Sequence, residues 1–155
     1  MKGEEMLLLE NQLCFPLYAV SRLVTQLYTP LLDQLDITYP QYLVLLVLWE
    51  QDSQSVSDIG AQLLLETNTL TPLLKRMEQK ELIQRTRATD DERKVLVSLT
   101  TRGKKLKQKA PCIPQALIAG MQDSPLTARE VEAFRRTLHK MLEALRSSTA
   151  PVHGG

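Results

Sequence analysis

Two cysteines and four tyrosines carry most of the reactive chemistry available to this 155-residue chain. Cys14 and Cys112 lie far apart in sequence, whereas Tyr18, Tyr28, Tyr39 and Tyr42 all fall within the first 42 residues. A thiolate is the nucleophile that attacks a peroxide O–O bond, and an ordinary thiol with a pKa of about 8.5 supplies only a few per cent of it at neutral pH. No Lys or Arg lies within seven residues of Cys14, so charge local in sequence does not favour its ionised form. Phenolic O–H donors do, because hydrogen bonds to the charged sulfur stabilise it. Tyr18, one helical turn beyond Cys14, sits on the cysteine's own face. Leu, Phe and Val neighbours would line a pocket suited to apolar organic peroxides. On composition alone the same residues read as a small buried hydrophobe among aromatic core filler. The two histidines, His139 and His153, fall on the last helix and the tail, so neither a metal site nor a cofactor is implied.

Those residues need a scaffold, and composition bounds it. With 43% hydrophobic residues and two cysteines the chain reads as one globular domain held by an ordinary core, in a reducing, cytoplasmic compartment. The apolar cluster Met6–Leu9 is broken too early for a signal peptide. The longest apolar run, Leu43–Trp49, falls far short of the roughly 20 residues that span a bilayer, so no membrane partner is expected. The formal net charge of +1 conceals a strong asymmetry. Up to Leu74 there are two bases and nine acids; from Lys75 to Lys109 there are twelve bases and five acids. Phosphate attraction follows the local field, so this basic block outweighs the neutral total as a pointer to nucleic acid, unless it is simply a solvated face.

Apolar periodicity predicts a long helix over 7–35, with Pro16 and Pro30 marking kinks or a late start. Thr38 and Pro40 open the next helix, whose stretch Tyr42–Trp49 is apolar on every side and belongs in a core. Two short helices come next. The first is capped by Ser57 and buries Ile59, Leu63 and Leu64. The second starts near Thr67 or Thr69, has Pro72 in an early turn, and buries Leu70, Leu73, Leu74 and Met77. Strands over Leu82–Arg87 and Lys94–Leu99 then flank the polar loop Ala88–Arg93. Helix-turn-helix before a hairpin is the order of a winged helix, whose second helix offers its first-turn residues to the major groove. Arg85, Arg87 and Arg93 on the hairpin can supply a guanidinium to the minor groove, with Asp91 orienting Arg93 against the alternative of a solvated turn. A lysine-rich helix begins after Thr100 and is interrupted by Pro111 and Pro114. Thr127 and Glu130 form the capping box of the last helix, with apolar positions Val131, Phe134, Leu138, Met141, Leu142 and Leu145.

These motifs carry a resemblance. Over roughly residues 7 to 146 the chain resembles the multiple antibiotic resistance regulator (MarR) family of winged-helix repressors, most specifically in DERKVLVSLTTRG and the preceding TLTPLLKRMEQKELIQR. The stretches LENQLCFPLYAVSR and PLLDQLDITYPQYLVLLVLWE are similar to the organic hydroperoxide resistance regulator (OhrR) branch. The resemblance implies a mainly α fold with a small β-hairpin wing, a winged helix-turn-helix, and N- and C-terminal helices forming a dimerisation bundle. It divides the chain into a sensor and dimerisation helix (1–36), the DNA-binding region (37–103), C-terminal dimerisation helices (104–146) and a flexible tail (147–155), within one compact domain. It implies a homodimeric repressor, not an enzyme, that binds an inverted-repeat operator in double-stranded DNA and releases it when an organic hydroperoxide oxidises one cysteine.

By position, Cys14 matches the sensing cysteine, and Tyr28 and Tyr39 match tyrosines that hydrogen-bond it across the dimer; Tyr18 fits the same cluster. Thr67, Asn68, Thr69 and Arg76 match recognition-helix positions, and Asp91 and Arg93 the wing tip. Relatives often carry Gly where this chain has Glu81, and smaller residues at Asn68. Some regulators of the branch form a disulfide with a second cysteine of the partner, others end at sulfenic acid or a mixed disulfide with a low-molecular-weight thiol. Cys112 does not fall clearly at that second position, so its resolving role stays open. Three other readings stand beside this one: a regulator of the same fold answering a phenolic ligand or serving as a broader redox or virulence regulator, a cysteine peroxidase, and a helical adaptor.

Overall fold

The computed structural model describes residues 3–120 and 125–149, and the chain divides into two compact units, Met1–Leu117 and Ile118–Gly155. The expected helix from residue 7 does not form at once. Two short 3-10 turns, Glu5–Leu7 and Leu9–Asn11, precede α1 at Cys14–Asp33. Here the Asn11 side chain donates to the Glu5 carbonyl at 2.7 Å, and Gln12 donates to the carbonyls of Met6 and Leu8. Polar side chains thus engage carbonyls that a continuing α-helix would have used, which is how such residues compete with helix. Pro16 then falls in the first turn of α1, where its missing N–H costs nothing.

Helix α2, Tyr39–Glu50, begins as expected: the Thr38 N–H donates to Gln41 Oε1 at 3.0 Å, with Pro40 in the first turn. Tyr42, Val44, Leu45, Val47, Leu48 and Trp49 are buried, and α2 contacts α1 and three later helices. The first helix of the helix-turn-helix, α3 at Val56–Leu63, is capped by Ser55 rather than Ser57, the Ser55 Oγ accepting from the Asp58 N–H at 3.1 Å. Ile59 is buried, but Leu63 is only half-buried and Leu64 is exposed. The burial expectation fails at Leu64 because it takes φ 55° in the tight turn, ending α3 and aiming the chain into α4, Thr67–Gln79. Gly60 permits that turn: a Cβ there would stand 2.7 Å from the Leu65 carbonyl oxygen. Helix α4 buries Leu70, Leu73, Leu74 and Met77 as expected, with Pro72 in its second turn.

The hairpin pairs β2, Ile83–Arg87, with β3, Val95–Leu99, antiparallel, Arg85 opposite Val97. A third strand, β1 at Gln54–Ser55, pairs on the other edge of β3, giving the order β1-β3-β2. Two residues are too few to show a period of two, so β1 has no signature in the sequence. Helix α5, Thr101–Lys109, is capped by Thr100, whose Oγ1 accepts from the Gly103 N–H at 3.1 Å. Pro114 does not break the next helix: it lies in the first turn of α6, Cys112–Gly120. In the second unit, the Thr127 N–H donates to Glu130 Oε2 at 2.7 Å, forming the capping box ahead of α7, Ala128–Thr149. That helix extends beyond Ser147, where the sequence placed the start of a tail; residues 150–155 lie outside the described residues.

Glu81, at the turn between α4 and β2, sits at φ 57°, the left-handed region that suits glycine. Its carbonyl accepts from the Thr100 hydroxyl and its N–H donates to the Glu78 carbonyl at 2.9 Å, so the backbone is pinned there despite the side chain. A Glu81→Gly variant is expected to gain about 1 kcal/mol, a rise in melting temperature of about 2–4 °C, measured by thermal circular dichroism.

Candidate nucleic-acid interface and thiol site

The first turn of α4 presents Thr67, Asn68 and Thr69 to solvent, because the helix's apolar residues face the core. Arg76, two turns later, is also exposed. The wing closes through paired backbone bonds, Ala88 N–H to the Lys94 carbonyl at 2.8 Å and Lys94 N–H to the Asp91 carbonyl at 2.9 Å. Asp91 Oδ1 accepts from the Arg93 N–H at 3.0 Å. The carboxylate therefore shapes the Arg93 backbone rather than holding its guanidinium, which remains exposed and makes no ion pair among the described residues. Thr67 and Arg93, 26 positions apart by number, line one cavity of about 200 Å³ together with Thr71 and Lys94. The fold thus brings the start of the second helix and the wing loop to a common edge. Thr71 and Lys94 were not singled out from sequence, although Thr71 lies one helical turn after Thr67.

The three hairpin arginines are not equivalent. Arg85 is held by Glu78, with Nη2 2.8 Å and Nε 3.1 Å from Oε2, while the Arg85 N–H donates to Oε1. Both guanidinium donors converge on one carboxylate oxygen, and the pair ties α4 to β2; the guanidinium holds the Glu78 carboxyl below its ordinary range. Arg87 is exposed at the end of β2. At the other corner of the sheet, burial pushes the Asp52 carboxyl up, but N–H donors from Leu99 and Ser53, with Lys104 nearby, bring it below its usual value. Asp52 thereby anchors the end of β3 to the loop after α2.

The tyrosines separate into two groups. Tyr28, Tyr39 and Tyr42 form one cluster, with ring centroids 4.9 Å apart for Tyr28–Tyr39, 6.1 Å for Tyr28–Tyr42 and 6.5 Å for Tyr39–Tyr42. Tyr42 extends it to Trp49 at 6.2 Å. Tyr18 does not join: its ring is exposed, with the Arg22 guanidinium 5.5 Å from its centroid. Tyr42 was not assigned to the cluster from sequence, where its place in a core helix hid it. Burial, and then the neighbouring phenol of Tyr39, pushes the Tyr28 hydroxyl above its ordinary pKa. Burial and then Tyr28 act likewise on Tyr42, with Tyr39 and Cys112 adding smaller increments. Both phenols therefore remain O–H donors at neutral pH.

Cys14 occupies the first position of α1 and is exposed, between Leu13 and Phe15, which are also exposed. The subunit alone does not enclose it, and among the described residues its thiol makes no hydrogen bond. Cys112 is exposed at the start of α6, its S–H donating to the Lys109 carbonyl at 2.9 Å. Of the two histidines, His139 lies on α7 with Nδ1 2.8 Å from the Arg135 carbonyl, and His153 lies outside the described residues. No group of three or more metal-ligating side chains occurs among the described residues.

A helix-turn-helix backed by a three-stranded sheet, with an arginine-bearing wing beside the second helix, defines a winged-helix DNA-binding protein. The family model described as "Transcriptional regulator SarA/Rot" matches residues 26–110. The chain is 51% identical over 137 residues to the organic hydroperoxide resistance transcriptional regulator of Bacillus subtilis (strain 168), covering 88% of this chain and 91% of that one. Solved structures with the same fold include reduced AbfR bound to DNA, with 41% identity, a TM-score of 0.75, and coverage of 94% of this chain and 99% of that chain. AbfR is also matched in a disulfide form, with 38% identity, a TM-score of 0.60, and coverage of 97% and 98%. A Cys-to-Ser mutant of MarR from Escherichia coli on operator DNA matches at 28% identity and a TM-score of 0.75, over 81% and 90% of the two chains. The chain therefore belongs to the SarA/Rot and MarR family of winged-helix transcriptional regulators. It is a DNA-binding regulator and not an enzyme.

The tyrosine cluster makes a testable statement about alkaline pH. Keeping Tyr28 and Tyr42 neutral contributes stability that is fully present below the unfolded tyrosine pKa of about 10 and is lost as pH rises through their raised folded values. Ultraviolet titration of tyrosinate is expected to show Tyr28→Phe and Tyr42→Phe each removing a late-titrating phenol, with a smaller loss of urea stability between pH 9 and 11 than in the parent.

Proposed function

We propose that the protein is a cytoplasmic homodimeric repressor that binds an inverted-repeat operator and releases it when an organic hydroperoxide oxidises Cys14. The observation that carries this reading is the placement of Cys14, an exposed thiol at the head of α1 in a chain half identical to a regulator named for organic hydroperoxide resistance. The apolar surface around it supports a dimer. Leu13, just before α1, and Phe15, Leu23 and Leu27 of α1 are exposed, as are Val131, Phe134, Leu138 and Leu142 at helical spacing on α7, and a second copy of the chain is the occupant proposed for both surfaces. Across that interface the partner's tyrosines would donate to the sulfur.

In the reaction, the Cys14 thiolate attacks one peroxide oxygen as the O–O bond breaks. An S–O bond forms, and the departing alkoxide takes a proton to become the alcohol. Sulfur is oxidised to sulfenic acid and the peroxide is reduced. The larger, more polar side chain would disturb the phenol cluster, and with it the seating of α2. Two recognition helices must reach major grooves roughly 34 Å apart, so a small rotation of each subunit loses several DNA contacts together. The disulfide-formed structure of AbfR supports thiol oxidation as chemistry available to this fold.

On the DNA side, Thr67, Asn68, Thr69 and Arg76 are proposed to read the major groove, with Arg87 and Arg93 at the backbone and minor groove and Asp91 shaping the wing. Arg85 is assigned to the fold, through Glu78. Cys14→Ser is expected to bind operator DNA as tightly as the parent and to stay bound in cumene hydroperoxide; dissociation of that variant by the peroxide refutes the sensing role. Arg93→Ala is expected to lower the slope of log affinity against log salt by about 1 per subunit, whereas Arg85→Ala reduces thermal stability with the slope unchanged.

A further inference from the structure

Helices α1 and α4 end alike. Past α1 the Ile37 N–H donates to the Leu32 carbonyl at 3.1 Å and the Asp36 N–H to the Asp33 carbonyl at 3.1 Å, with Asp36 at φ 55°. Past α4 the Leu82 N–H donates to the Met77 carbonyl at 3.0 Å and the Glu81 N–H to the Glu78 carbonyl at 2.9 Å, with Glu81 at φ 57°. Each pair of bonds is the Schellman arrangement, in which a left-handed residue just beyond the helix closes its last carbonyls.

One ammonium joins the two ends. Lys80 comes directly before Glu81, and its Nζ donates to the Asp36 carbonyl at 2.6 Å and to Asp36 Oδ1 at 2.9 Å, across 44 positions of sequence. Both helices carry partial negative charge at this end, so bringing their C-termini together is unfavourable unless a cation lies between them. Lys80 is that cation. The Asp36 carboxylate is exposed, and an exposed ion pair stabilises little by itself. What the contact does is fix a position. Helix α4, with Thr67, Asn68 and Thr69 in its first turn, is held at its far end by the turn that follows Tyr28 and precedes Tyr39. The Thr100 hydroxyl and N–H, donating to the Glu81 and Leu82 carbonyls, pin the next two residues to the start of α5.

The lever is long. Lys80 lies about 20 Å along the helix axis from Thr67, so a tilt of about 5° at the held end moves the first turn about 2 Å. Hydrogen bonds tolerate a range of only about 0.5 Å in N–H···O distance. We infer that Lys80 is a positioning residue for operator binding: seated between the C-termini of α1 and α4 and held by Asp36, it sets the tilt at which α4 enters the major groove, without itself touching DNA. The inference stands apart from the peroxide chemistry of Cys14, so it holds or fails in the Cys14→Ser protein as in the parent. Its spacing test rests on the proposed binding of two half-sites. A parent protein indifferent to their separation refutes that reading, and the affinity cycle and salt slope then decide the role of Lys80.

Fluorescence anisotropy of the full-length reduced protein tests it, on a duplex selected from random sequence and on copies with the half-site separation changed by one and two base pairs. Lys80→Gln, and Asp36→Asn, whose side chain suits the left-handed turn, are each expected to weaken binding at the preferred separation about fivefold. The double variant is expected to bind no worse than the weaker single, and Lys80→Arg to stay within about twofold of the parent. The slope of log affinity against log salt is expected to stay as in the parent throughout. In the three weakened variants the preference for one separation is expected to fall about threefold, because a loosely held helix accommodates neighbouring separations. Should Lys80→Gln not fold, Asp36→Asn carries the same test. A slope lowered by about 1 per subunit in Lys80→Gln overturns the inference by assigning the ammonium to a phosphate. Undiminished binding, losses that add in the double variant, or equal losses at every separation of a spacing-selective parent also overturn it, the last by leaving the pair a purely stabilising role.

Discussion

Burial of α2 is the constraint on which the first unit depends. Apart from Leu43 and Leu46 its apolar residues are buried, so the helix is stable only when α1, α3, α4 and α5 cover it together. Trp49, at its end, fixes where α5 goes. The indole N–H donates to the Gly103 carbonyl at 3.0 Å, and Lys107 returns to the Trp49 carbonyl. Gly103 in turn must be glycine, since a Cβ there would collide with the Leu82 carbonyl oxygen at the root of the wing. One buried helix thereby sets the distance between the tyrosine cluster at its start and the wing root at its end.

That arrangement gives a physical route from the tyrosine cluster to the root of the wing. Tyr39 and Tyr42 belong to α2, Tyr28 packs on them from α1, and Tyr42 touches Trp49. A packed interior has few intermediate arrangements, so a change large enough to separate these rings is passed on as a shift of α2 rather than absorbed locally. The ion pairs around the wing have a different task. Glu78 with Arg85, and Asp52 through the Leu99 N–H, fix the hairpin to the helices, which leaves Arg87 and Arg93 exposed at the wing. The charge asymmetry of the sequence therefore includes cations that hold the fold, such as Arg85 and Lys80, and cations left exposed on the second helix and the wing, such as Arg76, Arg87 and Arg93.

The helix-turn-helix and its hairpin are legible in the order of residues, because apolar side chains recur at 3.6 in α4 and alternate in β3, and caps at Thr38, Thr100 and Thr127 need only local atoms. Less is legible where backbone and side chains compete. The start of α1 depends on Asn11 and Gln12 capturing carbonyls, and the cap of α3 on Ser55 being held in a strand beside β3. Which charged and aromatic residues share a site is settled by the three-dimensional packing alone. Arg85 and Arg93 look alike in sequence, yet one is bound by Glu78 and the other is exposed; Tyr18 and Tyr42 look alike, yet only Tyr42 joins the cluster. Periodicity is a property of neighbours along the chain, whereas an ion pair or ring contact is fixed by which helices α2 draws together, and that is set by burial across the whole first unit.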